Sequence, residues 1–273
     1  MAEEGVNLSG ATRTNLLALK NTTSLIARTQ ERLSTGLRVN SAIDDAISFF
    51  QARSLSDRAG DLSVLKDSID QGVSSVETAV AGIEAITDIV TQMKGIALSA
   101  KSDANIENRS KSAVQFNDLR LQLDNLANDS SYKGTNMLKG SPANLKVTFS
   151  EDGSSTLTIS GVSSDASGLS ITTAASDWAA DGNIDTAIND LDSALSTLRS
   201  TASTMGSNAS VLSLRLDFTT QLVNSLEEGP AKFVNADLNT ESANLLTLQT
   251  RQQLGTIGLS IAQQSEQSIL RLF

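Results

Sequence analysis

Residues 184 to 226 read IDTAINDLDSALSTLRSTASTMGSNASVLSLRLDFTTQLVNSL. Apolar residues recur along this stretch at spacings that alternate strictly between four and three, from Ile184 to Leu226, and Thr219 is the one polar residue in the series. A single amphipathic helix on a globular core rarely needs an apolar stripe of about six heptads. The repeat therefore predicts a long helix that pairs with another long helix.

A second stretch, Leu55 to Ala97, carries the same repeat and is the natural partner for the first. Together they predict a mainly α fold, built as a long antiparallel coiled-coil rod in which the two apolar stripes share one seam. The predicted seam contains Leu62, Ile69, Val73, Val76, Val80, Ile83, Val90, Leu191, Leu195, Leu198, Leu212 and Leu216.

The absence of certain residue types limits the reactions and metal sites that this chain can support. The chain has no Cys and no His, which excludes a disulfide framework, a zinc cluster with Cys or His ligands, a Cys nucleophile and an imidazole base. Two carboxylate pairs, Asp44 with Asp45 and Glu227 with Glu228, are sequence neighbours whose side chains ordinarily point in different directions. We therefore predict no enzyme activity, no cofactor and no catalytic or metal site.

Charge is distributed unevenly along the chain. The net charge is −10, but residues 1 to 40 carry +2 and residues 230 to 273 are neutral, so the middle holds −12. No basic stripe exists that could bind phosphates, which argues against nucleic acid as a partner. Near-neutral ends beside an acidic middle favour self-assembly through the termini, although any single charged residue is equally well explained as part of a soluble helix face.

Changes of period along the chain predict its elements. Alternation at residues 145 to 149, followed by a turn and a second apolar run, indicates a β-hairpin in a segment rich in Ser and Gly. Gly229 and Pro230 are expected to end the helix before them. The predicted helices cover residues 8 to 33, 44 to 100, 107 to 129, 184 to 228 and 238 to 272.

Five glycines lie inside the predicted seam helices, where each costs up to about 1 kcal/mol relative to Ala. Either neighbouring subunits approach the backbone closely at these positions, or the weakening is simply tolerated. The glycines are Gly60, Gly72, Gly82, Gly95 and Gly206.

Three motifs resemble those of bacterial flagellins. LSTGLRVNSAIDDA, residues 33 to 46, is similar to the flagellin N-terminal signature, and residues 235 to 273, with their Gln-rich helix, are similar to the C-terminal segment. SYKGTNML, residues 131 to 138, resembles a family turn, with Lys133 in place of Asn. These motifs and their order cover about half of the chain. The C-terminal part is most similar to alphaproteobacterial flagellins.

The resemblance implies a structural subunit of the bacterial flagellar filament, in which terminal helices form an inner shell, D0, and the helical seam belongs to a surrounding layer, D1. Its domains would be a D0 helix and connector at 1–40, D1 helices at 41–144, a hairpin and reduced outer segment at 145–180, the D1 C-terminal helix at 181–229 and the D0 C-terminal helix at 230–273. Plausible D0 assembly residues are Leu16, Leu19, Ile26, Leu33, Leu245, Leu254, Leu259 and Ile269.

Location and partners follow from the same resemblance. A filament subunit would be secreted through the flagellar type III export channel, which accounts for an N-terminus without a signal peptide. No stretch reaches the roughly 18 apolar residues of a membrane span, so no membrane insertion is expected. Partners would be further copies of the chain in an extracellular filament for motility, the cap and junction proteins, and an export chaperone.

The chain departs from the family pattern at two places. Glu3 and Glu4 stand where flagellins usually continue with apolar, Asn and Thr residues. The site that flagellins present to the innate immune receptor is degenerate, because Gln92 replaces Arg, Lys94 replaces Arg and Gly95 replaces Glu. Losing a charge-assisted donor and a carboxylate predicts weak receptor activation.

Two other functions and one modification are compatible with parts of this pattern. A hook-filament junction protein is a structural relative with similar termini. A zinc peptidase, which some flagellins carry, needs two histidines that this chain lacks. The Ser-rich segment suggests glycosylation at Ser154, Ser155, Ser163 or Ser164, although such residues are more often simply polar loop residues.

Overall fold

A computed structural model of the protein describes residues 10 to 270, without the side chains of residues 11, 266, 267, 269 and 270. Glu3 and Glu4 and the side chain of Ile269 lie outside the described residues. The mainly α prediction is confirmed, with long helices and two small antiparallel hairpins. The helices are α1 Gly10–Thr35, α2 Ala46–Ser102, α3 Ile106–Asp129, α4 Asp181–Val234 and α5 Leu238–Leu270; the strands are β1 Ser131–Tyr132, β2 Thr135–Asn136, β3 Leu145–Thr148 and β4 Thr156–Ile159.

The chain divides into two compact units. The terminal unit consists of the described parts of Met1–Arg58 and Ser225–Phe273, and the central unit is Ala59–Asn224. Helices α2 and α4 contribute to both units. The hydrophobic core described next lies in the central unit.

In the central unit, α2 and α4 run antiparallel. Lys94 on α2 forms an ion pair with Asp192 on α4, and Lys101 on α2 forms one with Asp185 on α4. The second pair lies seven residues later on α2 and seven residues earlier on α4. The apolar stripes meet in this core, because an antiparallel pair with a shared heptad repeat keeps its stripes facing each other. Of the predicted seam residues, Val80 and Leu216 are half-buried and the other ten are buried.

A further layer covers part of this helix pair. Helix α3 begins at Asn105, whose side chain accepts a hydrogen bond from the N–H of Glu107, and buries Phe116 and Leu123. The β3–β4 hairpin pairs Leu145 with Ile159, as predicted from the alternating period. The few aromatic residues therefore supplement a core that consists mainly of aliphatic side chains.

A strained turn precedes α4. Ser176, Asp177 and Trp178 have φ values of 49°, 48° and 56°, which place three consecutive non-Gly residues in the left-handed region. The Trp178 side chain is fully buried, and its ring centroid lies 5.0 Å from that of Phe116. Within the described residues its Nε1 has no hydrogen-bond partner.

The predicted end of α4 at residue 228 is wrong. The helix passes through Gly229 and Pro230 and ends at Val234. Proline removes one backbone donor but leaves the rest of the helix ladder available. The helix ends instead where the Val234 carbonyl accepts hydrogen bonds from the backbone N–H groups of Arg38 (2.6 Å) and Val39 (3.2 Å).

The segment between the hairpin and α4 is also less exposed than an outer Ser- and Gly-rich segment would be. Leu169, Ile171 and Trp178 are buried in the central core. Ser164 is only 1% exposed, and its hydroxyl donates to the Val162 carbonyl at 3.1 Å. Ser164 is therefore a poor position for the glycosylation suggested from the sequence, because its hydroxyl is buried and already hydrogen-bonded.

Candidate self-assembly surface of the terminal unit

Helices α1 and α5 form the body of the terminal unit as an antiparallel pair. The Arg32 guanidinium donates to the Glu241 carboxylate at 2.9 Å, and the Gln252 amide donates to the Thr23 hydroxyl at 3.4 Å. Gly255 lies opposite Leu19, where an added Cβ would stand 3.3 Å from the leucine. The pair is thus joined by polar contacts and by apolar packing between the two helices.

Backbone hydrogen bonds tie together the segments that follow α1 and α4. Gly36, at φ +72°, closes α1 by donating its N–H to the Arg32 carbonyl at 2.9 Å. Its own carbonyl accepts from the Ala236 N–H at 2.9 Å, and the Arg38 side chain donates to the Phe233 carbonyl at 2.8 Å. Two connectors, residues 36 to 45 between α1 and α2 and residues 235 to 237 between α4 and α5, are therefore held side by side by the flagellin-like segment at residues 33 to 46.

Capping aspartates begin the two helices that follow these connectors. The Ser48 hydroxyl and N–H donate to Asp45 at 2.7 and 3.2 Å, and those of Thr240 donate to Asp237 at 2.8 and 3.4 Å. These hydrogen bonds lower the pKa of each carboxyl below its ordinary value of 3.8. Both caps are therefore strongest when the carboxylates are ionised.

Acid should weaken these caps. A carboxyl whose pKa is lowered by folding stabilises the folded state fully at pH values above its unfolded pKa. This stabilisation is lost as the pH falls through the folded-state pKa, so the effect lies below about pH 4. The Asn239 N–H also donates to Asp237, at 3.0 Å. We expect the amide protection of Ser48 and Asn239, corrected for intrinsic exchange, to fall in that range. Asp45→Asn should abolish the pH dependence at Ser48 and leave that at Asn239. Equal dependence at both amides in the variant would contradict the assignment.

The predicted D0 assembly residues occupy three environments. Ile26 is 8% exposed, whereas Leu254 is 63% exposed and Leu16 is 47% exposed. Half-buried positions are taken by Leu19, Leu33, Leu245 and Leu259. The isolated pair therefore covers only part of the apolar surface that was predicted from the sequence.

Further apolar side chains on the same helices were missed. Leu246 is 68% exposed and begins a second apolar stripe on α5, which continues through Leu254, Ile257 and Ile261. This spacing is present in the sequence, but the predicted assembly residues include only Leu254 from this stripe. The missed exposed residues are Leu17, Leu25, Leu246, Ile257 and Ile261.

An open apolar groove adds to this surface at the start of α2. It has a volume of about 500 Å³ and is lined chiefly by Ile47, Phe50, Leu55 and Phe233. Phe49 and Phe50 pack edge to face with their ring centroids 5.6 Å apart. The terminal unit thus carries exposed apolar area on its α1–α5 pair and on the parts of α2 and α4 that belong to it.

The other predicted positions lie in the central unit. Gln92 and Gly95 are exposed on α2, beside Lys94 in its ion pair with Asp192. Ser154 is exposed, and its hydroxyl donates to Asp152 at 2.8 Å, whereas Ser155 and Ser163 are half-buried.

The interior glycines fall into two groups. At Gly72 and Gly82 an added Cβ would meet side chains of the same chain, whereas at Gly60, Gly95 and Gly206 nothing lies within 4 Å. Close packing within the subunit explains the first two. Approach of a neighbouring subunit remains a hypothesis for the last three.

The described residues contain neither a membrane-spanning helix nor a cluster of metal-binding side chains. None of the helices there is long and apolar enough to cross a bilayer. Among the same residues, no group of three or more acidic side chains is arranged to hold a metal ion.

A helix pair with this much uncovered apolar surface defines a class of protein. Such a unit resembles one part of a larger helical assembly, because soluble monomers rarely expose large contiguous apolar patches. The terminal unit therefore indicates a structural protein whose helices pack against other chains.

Comparisons with known proteins identify the family. Residues 6–143 match the bacterial flagellin N-terminal helical region, and residues 183–273 match the C-terminal helical region. Flagellin FljM of Caulobacter vibrioides is 34% identical over the whole of both chains, and a flagellin of Brucella melitensis is 33% identical over 95% of each. The chain belongs to the bacterial flagellin family.

Structural comparison agrees on the fold. A putative flagellar hook-associated protein from Vibrio parahaemolyticus has a TM-score of 0.59 and 11% identity, over 70% of this chain and all of that one. Flagellins are structural proteins that polymerise into the extracellular flagellar filament, and this chain is such a filament subunit. The alphaproteobacterial resemblance is confirmed by the Caulobacter and Brucella relatives.

Proposed function

We propose that the terminal unit is the part of the subunit that drives polymerisation, and that α1 and α5 become stably folded only when they join the filament. The observation that carries this proposal is the exposed apolar surface of the α1–α5 pair. The pair leaves much of its apolar surface uncovered, so the burial within it offsets only part of the entropy of ordering both helices. Packing against neighbouring copies supplies the missing burial.

The size of this contribution can be estimated from the exposed side chains. A Leu or Ile side chain that is half-exposed and becomes buried contributes on the order of 1 kcal/mol before entropy is subtracted. Seven such residues, found on both helices, are available. They are Leu16, Leu17, Leu25, Leu246, Leu254, Ile257 and Ile261.

Seeded polymerisation of purified subunits tests the proposal. The full chain should form long filaments in negative-stain micrographs and gain helical circular dichroism as it polymerises. A variant that lacks residues 238 to 273 should do neither, because α1 then loses its partner. As a matched control, Leu254→Ser and Leu246→Ser should impair polymerisation more than Ser242→Ala, an exposed change on the same helix.

Two results would contradict the proposal. Filaments from the truncated chain would show that α5 is not needed, and full helicity of the monomer before assembly would remove the coupled folding step. Short capped stubs from the full chain would instead favour a hook-filament junction protein.

We propose the remaining assignments on the strength of family membership. D0 would comprise 1–40 and 230–273, with D1 at 41–144 and 181–229 around the outer segment at 145–180. The subunit would leave the cell through the flagellar type III channel with an export chaperone, contact the cap and junction proteins, and have no enzymatic activity. The predicted assembly and seam residues would provide the helix contacts.

Weak activation of the innate immune receptor is a further proposal. Exposed Gln92 and Gly95 offer neither the guanidinium nor the carboxylate of activating flagellins, and Lys94 is engaged by Asp192. In a reporter-cell assay, we expect the monomer to be much less potent than an activating flagellin. Gln92→Arg with Gly95→Glu should increase potency, whereas exposed Thr91→Ser should not. Full potency of the unmodified chain would contradict this proposal.

Glycosylation is proposed at the exposed Ser154, with Ser155 and Ser163 as half-buried alternatives. Ser164 is omitted because it is buried. Intact mass spectrometry of filaments from the native source should show mass above that of the unmodified chain, which Ser154→Ala reduces. A mass equal to the unmodified chain would remove the proposal.

A further inference from the structure

A polar groove runs between α1 and α5 in the terminal unit. It has a volume of about 280 Å³ and is flanked by Arg28 on α1 and Arg251 on α5. The ion pair between Arg32 and Glu241 lies in its lining, together with Thr29, which is 7% exposed. The one carboxylate of the groove is therefore already engaged by one of its three guanidinium groups.

The other two guanidinium groups remain unpaired. Neither Arg28 nor Arg251 has an ion pair or hydrogen bond to another described residue, and both side chains are exposed. Two like charges that flank one groove repel each other unless an anion lies between them. A pair of carboxylates is the protein ligand that guanidinium groups bind best.

The same unit carries two neighbouring carboxylates without a partner among the described residues, and their diverging side chains suit two guanidinium groups on opposite sides of a groove. Glu227 and Glu228, near the end of α4, are exposed and have no polar partner among the described residues. The other acidic side chains that the structure describes in this unit are engaged in caps, ion pairs or hydrogen bonds. They are Glu31, Asp44, Asp45, Asp57, Asp237 and Glu241.

We propose that Glu227 and Glu228 of a second copy bind in the groove between Arg28 and Arg251. This inference rests on the proposed function, and it specifies a charged contact within the assembly that the apolar surface drives. A contact between two different patches is heterologous, so it can repeat from copy to copy without closing. Apolar burial supplies affinity, whereas the charge pairs fix which surfaces meet and in which register.

Charge reversal tests the contact. Arg28→Glu with Arg251→Glu should raise the critical concentration for seeded polymerisation by at least about tenfold, because like charges then face each other. Glu227→Lys with Glu228→Lys should do the same. A chain with all four changes should polymerise within about threefold of the unmodified chain, since the pairs are restored with opposite sign.

The matched control is Lys20→Glu, which reverses an exposed charge on α1 that lies outside the groove and has no partner among the described residues. It should change the critical concentration by less than about threefold. Circular dichroism of each monomer should match that of the unmodified chain. Two results would overturn the contact. One is that the chain with all four changes still polymerises poorly; the other is that Lys20→Glu raises the critical concentration as much as the Arg28→Glu and Arg251→Glu double variant.

This outcome is separate from a failure of the proposed function. If the unmodified chain does not form filaments, polymerisation itself is refuted and the contact with it. If it does form filaments and both reversals leave the critical concentration unchanged, the groove contact alone is refuted.

Discussion

Trp178→Ala is expected to lower the free energy of unfolding of the central unit by about 3 to 5 kcal/mol. The Trp178 side chain is fully buried beside Phe116, so its removal leaves a cavity. Ser176, Asp177 and Trp178 occupy left-handed conformations that each cost on the order of 1 kcal/mol or more, so relaxation of this turn in the variant offsets part of the loss. Without the anchoring ring, this turn is free to relax.

Chemical denaturation of the monomer, followed by circular dichroism, measures the loss. Trp178→Phe is the matched control, because it keeps an aromatic ring and removes the indole N–H that lacks a partner in the described structure. The smaller Phe ring leaves a small cavity, which destabilises the unit, whereas removal of the buried N–H without a partner stabilises it. We therefore expect the free energy of unfolding to fall by less than about 2 kcal/mol. Equal losses for the two variants would show that ring packing is not the dominant interaction.

Gly82→Val is expected to destabilise the same unit by about 3 kcal/mol. A Cβ at Gly82 would lie 2.5 Å from the Ser130 hydroxyl oxygen and 2.7 Å from a methyl carbon of Leu138. Ser130 cannot move freely, since its N–H and hydroxyl both donate to the Leu126 carbonyl. The substitution therefore forces α2 away from the segment that follows α3.

Gly60→Val is the matched control, on the same helix with nothing within 4 Å of the added Cβ. Its effect on monomer unfolding should stay within about 0.5 kcal/mol, because valine forms helix slightly better than glycine. Polymerisation then distinguishes the two explanations for the open glycines. Loss of filaments from a stable Gly60→Val monomer would indicate close approach of another copy, and normal filaments would indicate tolerated helix weakness.

Much of the architecture was accessible from residue periodicity. The four-three repeat requires a partner for each long helix, and Ile184 to Leu226 indeed follow the buried or half-buried side of α4. The alternation at Leu145 to Thr148 similarly identified β3 and its hairpin. These predictions worked because the same spacing that brings apolar side chains to one face also creates the buried face.

Features that depend on contacts distant in sequence were missed. The end of α4 at Val234 depends on donors from Arg38 and Val39, which no local pattern near Pro230 reveals. The buried position of Trp178 arises from its contact with Phe116 on α3, although the surrounding Ser and Gly residues indicated a loop. Likewise, the groove at Arg28 and Arg251 exists only because α1 and α5 pair.

The paired contacts of α2 and α4 also determine where the chain can change length. From Lys94 and Asp192 to Lys101 and Asp185, the two helices advance by one heptad in opposite directions. A residue deleted from one helix would misalign every contact beyond it, whereas the exposed turn at residues 151 to 154 adds chain between the strands of one hairpin. That turn is a suitable insertion point for a foreign peptide, which a polymer of such subunits would display as a dense, regular array.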